Sequence, residues 1–271
     1  MARYHLSQNS SWVERLARFG YLTKGIVYAL IGILAVQAAF NVGGRTTGSE
    51  GALYTIARQP FGRFMLTLVS IGLIGYVLWR FVQAFNDPEH KGTDAKGIAR
   101  RIGYGISGLI YASLAFTAAR IASGTSSSSS GPSKQSIAAR LLTHAFGQWL
   151  IGAVGAFLIG LAFFYFYRSF TAKFRKRLKL REMGITEEKW AVRISRFGIA
   201  ARGVVFVIIG GLLIQAALQS DPSKVQSSKG ALESIERSPY GPWLLALVAI
   251  GLIAYGVYMG VQSRYRRIEI V

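Results

Sequence analysis

Six long stretches, residues 25–44, 64–79, 102–119, 141–167, 203–220 and 238–263, run without a single Asp, Glu, Lys or Arg. A helix rises 1.5 Å per residue, so about 20 mostly apolar residues cross the hydrocarbon core of a bilayer. Six buried helices of a soluble bundle would need polar stripes at helical spacing on their outward faces, and these stretches lack them. They predict six membrane-spanning helices. The second stretch is the shortest and continues through Arg80 to Phe85, with the Arg80 guanidinium expected to snorkel to the interface from so near a helix end.

The same pattern repeats. Residues 12–40 return at 190–218: Arg18-Phe19-Gly20 matches Arg196-Phe197-Gly198, Lys24-Gly25 matches Arg202-Gly203, Gly32 matches Gly210, and Gln37-Ala38-Ala39 matches Gln215-Ala216-Ala217. A more divergent copy lies between them, with Gly103-Tyr104, Gly108 and Tyr111 where the first has Gly20-Tyr21, Gly25 and Tyr28, and with Ser107 in place of the basic residue. The expected fold is an all-α integral membrane protein, a single membrane domain over residues 1–271. Its three tandem helical hairpins are 12–85, 95–170 and 190–263. An even number of spans per unit keeps every copy in the same orientation, so the hairpins are expected to be related by a pseudo-threefold rotation about the membrane normal.

The parts between the two spans of a hairpin repeat as well. Residues 51–62 match 230–241, each ending in a Pro, an aromatic residue and a Gly. They predict a short amphipathic helix that Pro60 or Pro239 stops and from which Gly62 or Gly241 allows a tight turn into the next span. The middle connection has lost the Pro and contains the serine run 126–130, followed by Gly131 and Pro132, a low-complexity stretch with nothing to bury. Ahead of each first span, Trp12, Leu16 and Phe19, and again Trp190, Ile194 and Phe197, share one helical face opposite Arg15/Arg18 and Arg193/Arg196. That is the pattern of an interfacial helix, and Ser11 with Glu14 has the spacing of a capping box at its start.

Composition agrees with a membrane protein: 51% of the 271 residues are hydrophobic and the mean hydropathy is +0.34. The formal net charge is +20, which in isolation would also fit a nucleic-acid-binding chain. Its placement decides otherwise. Residues 1–21, 86–102, 168–198 and 263–271 carry 20 of the basic residues, whereas the three hairpin connections 41–60, 120–146 and 219–241 carry 8. By the positive-inside rule both termini and the basic loop 168–198 face the cytoplasm, and the excess charge is topological, with anionic lipid headgroups rather than nucleic acid as its partner. The chain has no cysteine, which rules out disulfides and thiolate metal sites.

The RFG(Y/I)xx(K/R)G opening, the QAA ending, the GALxxIxR(x)P(F/Y)G connection and the GLI(G/A)Y second span resemble the bacterial membrane family called domain of unknown function 1206. Three tandem copies would cover nearly the whole chain. The resemblance implies a multi-pass protein of the bacterial inner membrane; it implies no activity and no catalytic residues.

Candidate chemistry is sparse. His5, His90 and His144 stand at no metal-ligand spacing, no phosphate-binding or hydrolase motif is present, and no span contains a carboxylate. A cofactor-free, non-catalytic protein is expected, since general acid–base work needs a titratable group in a cleft. Small residues at Gly152-x3-Ala156-x3-Gly160 and Gly256-x3-Gly260 suggest close helix packing. Equivalent polar positions form two layers: Gln37, Arg120 and Gln215 near one end of the spans, and Gln83, Arg168 and Gln262 near the other. Between them the midplane is expected to hold only hydroxyls, among them Tyr76 and Tyr255. Two functions fit: binding of lipid or another membrane protein, or a channel or carrier for a neutral or anionic solute along the threefold axis. For the first, Lys24 and Arg202 are the expected contacts to anionic headgroups, snorkelling to phosphate depth, with Arg15, Arg18, Arg193 and Arg196 completing each site.

Overall fold

A computed structural model describes residues 2–88, 92–125, 139–179 and 182–268. Its six long helices are α1 (Ala2–Ala39), α3 (Gly62–Phe85), α4 (Ala95–Ala122), α5 (Ala145–Thr171), α6 (Ile185–Gln219) and α8 (Gly241–Tyr265). Each is long and apolar enough to cross a membrane. Two short helices, α2 (Ser49–Ala57) and α7 (Ser228–Glu236), lie in the first and third connections. The serine run 126–130, Gly131, Pro132 and His90 lie outside the described residues.

The amphipathic basic segments are not separate interfacial helices. They lie within α1 and α6, continuous with the spans. No helix starts at Ser11, and Glu14, the expected capping-box partner, instead pairs with Arg18 one turn on at 2.6 Å. In the connections α2 stops ahead of Pro60 as expected, but the left-handed residue is the aromatic one, Phe61 (φ 60°) or Tyr240 (φ 61°), not the glycine after it. The glycine serves close approach: a Cβ on Gly62 would sit 2.5 Å from the carbonyl oxygens of Ile56 and Ala57.

Helix pairing follows one rule. The second helix of each hairpin lies on the first helix of the next: α3 on α4, α5 on α6, and α8 back on α1. Glycines make these crossings close, because without a Cβ the backbones meet directly. A Cβ on Gly25 would lie 2.8 Å from the Gly256 carbonyl oxygen, and one on Gly155 would lie 2.8 Å from that of Gly210. The expected stripe on α5 is therefore displaced: Gly155 makes the contact, whereas Gly160 has open space beside it. Likewise Gly256 packs and Gly260 does not.

Within the hairpins the rule breaks once. Helix α1 packs on α3 and α6 on α8, but α4 and α5, the two spans of the middle copy, do not pack as a pair. The three equivalent glycines record the difference. A Cβ on Gly20 would lie 2.4 Å from the Tyr76 amide nitrogen and one on Gly198 would lie 2.3 Å from that of Tyr255, whereas one on Gly103 would meet nothing within 4 Å.

The arginine two residues before each of these glycines caps a helix of another hairpin. Arg18 donates to the carbonyls of Ser263 (2.7 Å) and Arg264 (2.6 Å) at the end of α8. Arg101 donates to those of Ala84 and Phe85 at the end of α3, both at 2.8 Å. Arg196 donates to that of Ser169 at the end of α5, at 2.9 Å. The last carbonyls of a helix have no partner within it and carry the negative end of its dipole, so a guanidinium satisfies both needs. Removing the side chain as Arg101→Gln is expected to cost about 1.5–3 kcal/mol, the worth of hydrogen bonds to a charged group. Thermal unfolding of the purified protein would check this, and an unchanged midpoint would mean that water caps α3 equally well.

At the same end of the bundle, the basic loop after α5 folds over the helix ends. Phe174 is buried against Tyr258, with ring centroids 5.4 Å apart. The Lys179 amide donates to the Tyr265 carbonyl at 2.8 Å.

Candidate functional site

The long helices, with α2 and α7, border an open cavity of about 2040 Å³, larger than the roughly 300–1,000 Å³ usual for a small-molecule site. Lys24 and Arg202 do not snorkel outward as expected but turn inward. Lys24 is 2% exposed. It lies about 22 Å along the helix from the end of α1, at 1.5 Å per residue.

Each of the two cations is held by a tyrosine of its own hairpin. Lys24 Nζ donates to the Tyr76 hydroxyl at 2.9 Å, linking α1 to α3. At the equivalent place in the third copy Arg202 donates to the Tyr255 hydroxyl, linking α6 to α8. Each also lies over an aromatic ring of the following copy: Lys24 is 4.3 Å from the Tyr111 centroid and Arg202 is 5.3 Å from that of Tyr28. In the middle copy Ser107 and Leu161 occupy these two positions. Neither can form the tie, and both line the cavity.

Further cations converge from the end that carries the termini. Arg80 does not snorkel outward; it donates to the Tyr76 hydroxyl at 2.8 Å and to Gln83 at 2.9 Å. Arg168 and Gln262 meet at the Tyr258 hydroxyl, at 2.5 Å and 2.7 Å, and Arg266 donates to Gln262 at 2.5 Å. Thus Arg168 and Gln262 line the floor of the chamber, whereas Gln83 is buried behind Arg80 and is not part of its lining. The other layer does not close over it: Gln37 and Gln215 are exposed and Arg120 lies partly buried beside the Phe116 ring. Arg15 and Arg193 are exposed near the same end as the floor, whereas Arg18 and Arg196 are occupied as helix caps.

Lys24, Arg80, Arg168, Arg202 and Arg266 all line this cavity. The carboxylates among its lining residues, Glu50, Glu233 and Glu236, belong to α2 and α7 at the hairpin end. Among the described residues Lys24 and Arg202 are therefore held by hydroxyls and aromatic faces, and Arg202 Nε is shut from solvent with no hydrogen-bond partner there. A cation–π contact contributes about 0.5–2 kcal/mol, whereas the effective penalty for burying an ion is several kcal/mol. An anion in the chamber would offset that deficit. The recurring Tyr28/Tyr111 pair was visible as a repeat marker, but its role as the seat of the cations required the helices to be brought together; nothing in the sequence singled out Tyr258 or Arg266.

Residues 19–87, 102–172 and 197–266 each match the family described as Domain of Unknown Function (DUF1206). The chain belongs to the DUF1206 family. It is also similar to the Bacillus subtilis (strain 168) "Uncharacterized protein YxxB", 36% identical over 259 residues that cover 96% of this chain and 93% of that protein. No solved structure matches the chain. Each DUF1206 segment begins one residue after a capping arginine, Arg18, Arg101 or Arg196, and holds one pair of spanning helices. The protein is a multi-pass membrane protein of three DUF1206 repeats, with the cation–tyrosine tie present in the first and third repeats.

Proposed function

We propose that the protein is a non-catalytic module of the bacterial inner membrane, with both termini in the cytoplasm, that binds the anionic headgroup of a lipid in its central chamber. The observation that carries this reading is the pair Lys24 and Arg202, held inside the spans among tyrosines with no carboxylate beside them among the described residues. A phosphate group would accept from both cations and from the tyrosine hydroxyls around them. The exposed Arg15 and Arg193 would concentrate anionic lipid at the cytoplasmic surface, each contributing about 1 kcal/mol near a charged leaflet.

The test compares purified parent and Lys24→Gln/Arg202→Gln protein by native mass spectrometry after exchange into phosphatidylglycerol or phosphatidylcholine. The parent is expected to retain phosphatidylglycerol selectively and the variant to lose that selectivity. Equal retention of phosphatidylglycerol by a folded variant would overturn the headgroup site. Orientation has its own check: reporter fusions after Val271 and within 168–198 should report cytoplasm, and one within 126–130 the outside. A cytoplasmic signal at the serine run would reverse the topology.

A second reading, a carrier or channel for an anionic solute, is favoured by the extent of the cavity lining, which runs from Arg45 and Glu236 at the hairpin end to Arg100 and Lys173 at the other. Anion flux into proteoliposomes would support it.

A further inference from the structure

We infer that the ligand of the chamber is an anionic amphiphile that reaches it sideways from the bilayer, between α4 and α5, leaving its acyl chain in that gap while its headgroup meets Lys24 and Arg202. The inference rests on the headgroup reading above and adds to it the class of molecule and the route. Of the three hairpins, the middle one alone leaves its two spans unpaired. Its missing tie has a visible cause. Ser107 and Leu161 replace the cation and the tyrosine that join the spans in the other two copies. Gly103, whose counterparts Gly20 and Gly198 would clash with backbone if given a Cβ, has nothing within 4 Å.

The two walls of the cavity differ in chemistry. The side built by α1, α3, α6 and α8 presents Lys24, Arg80, Arg202, Tyr28 and Tyr255. The side built by α4 and α5 contributes Tyr111 and Arg168 but adds a run of exposed apolar side chains, Ile106, Ile110, Val154, Phe157 and Phe164, that line the same cavity. A free anion would use only the cations and hydroxyls. An anionic lipid uses both walls, and lateral access brings its chain in without leaving the hydrocarbon, so no acyl surface is transferred through water. The closed hairpins 12–85 and 190–263 offer no such slot between their own spans, because α1 packs on α3 and α6 on α8.

The test separates headgroup from tail. Detergent-purified full chain is titrated with dioleoylphosphatidylglycerol and, separately, with the tail-less sn-glycerol 1-phosphate, and binding is followed by thermal shift and native mass spectrometry. The parent should bind the lipid at least about tenfold more tightly than the tail-less anion, the factor that a few buried methylene contacts produce. Gly103→Trp, which fills the slot where space is open, should weaken the lipid about tenfold and leave the tail-less anion unchanged. Should that variant fold poorly, Ser107→Lys/Leu161→Tyr builds the third tie and closes the hairpin; it should weaken lipid binding and strengthen glycerol phosphate. Equal affinity of the parent for lipid and glycerol phosphate, or lipid binding indifferent to both variants, would overturn lateral access while leaving the anion chamber intact. Binding of neither probe would overturn the chamber reading and this one with it.

Discussion

Gly20→Ala and Gly198→Ala should each destabilise the protein by about 1–3 kcal/mol, whereas Gly103→Ala should not destabilise it at all. The added methyl at the first two positions meets backbone, the amide nitrogens of Tyr76 at 2.4 Å and Tyr255 at 2.3 Å, and backbone cannot rotate aside as a side chain could. The spans must separate. Their separation also stretches the Lys24–Tyr76 and Arg202–Tyr255 bonds, so the two sites lose packing and tie together. At Gly103 the methyl enters open space, and alanine gains up to about 1 kcal/mol of helix propensity over glycine. Thermal midpoints of the three purified variants in one detergent decide the matter. If all three fell equally, glycine would be needed at this position for some reason other than the pairing of the spans, and the open middle hairpin would lose its support.

Lys24→Met should make the ligand-free protein more stable and deprive it of its response to anionic lipid. Methionine keeps about the length of the side chain and removes a buried charge that no carboxylate among the described residues balances. Replacing buried ions by apolar groups of similar volume is often stabilising, by about 1–4 kcal/mol. Tyr76 keeps a donor, because Arg80 also reaches its hydroxyl. In zwitterionic detergent the midpoint of the variant should therefore exceed that of the parent by several degrees. Adding phosphatidylglycerol should raise the parent, by about 2.7 kcal/mol at a hundredfold excess over Kd, and leave Lys24→Met nearly where it was. A fall in the midpoint without lipid would mean that Tyr76 and Tyr111 by themselves stabilise the ammonium group, and that the chamber needs no anion.

These two experiments address different layers of the same design. The glycines set how near the spans of a hairpin can come; the cation–tyrosine ties use that nearness in the outer copies and are missing from the middle one. A repeat that loses both Lys and Tyr at equivalent positions loses a bond that had offset the tendency of two apolar helices to exchange each other for lipid. In a bilayer there is little hydrophobic drive to restore the contact, because acyl chains are as apolar as leucine.

By itself the sequence determined the six spans, the three hairpins and the family, because hydrophobic length and an internal repeat are properties of the chain alone. It also marked Gly20, Gly103 and Gly198 as equivalent, and Lys24 and Arg202 as a recurring pair. Only the tertiary structure decided what equivalence hides. Lys24 and Arg202 read as interfacial because a lone long cation beside a basic helix is best served by water; packed helices gave them hydroxyls and aromatic faces instead, at a depth no periodicity reveals. Arg18 and Arg196 read as lipid contacts because the carbonyls they cap belong to helices distant in the chain, with Arg18 and Ser263 lying 245 residues apart. Gln37 and Gln215 matched Arg120 in register yet faced outward, since register fixes a position along a helix and only the neighbours fix which side of it is buried. The open middle hairpin was present in the sequence as Ser107 and Leu161, two ordinary residues for a span; their meaning came from the tie that the other copies form across space.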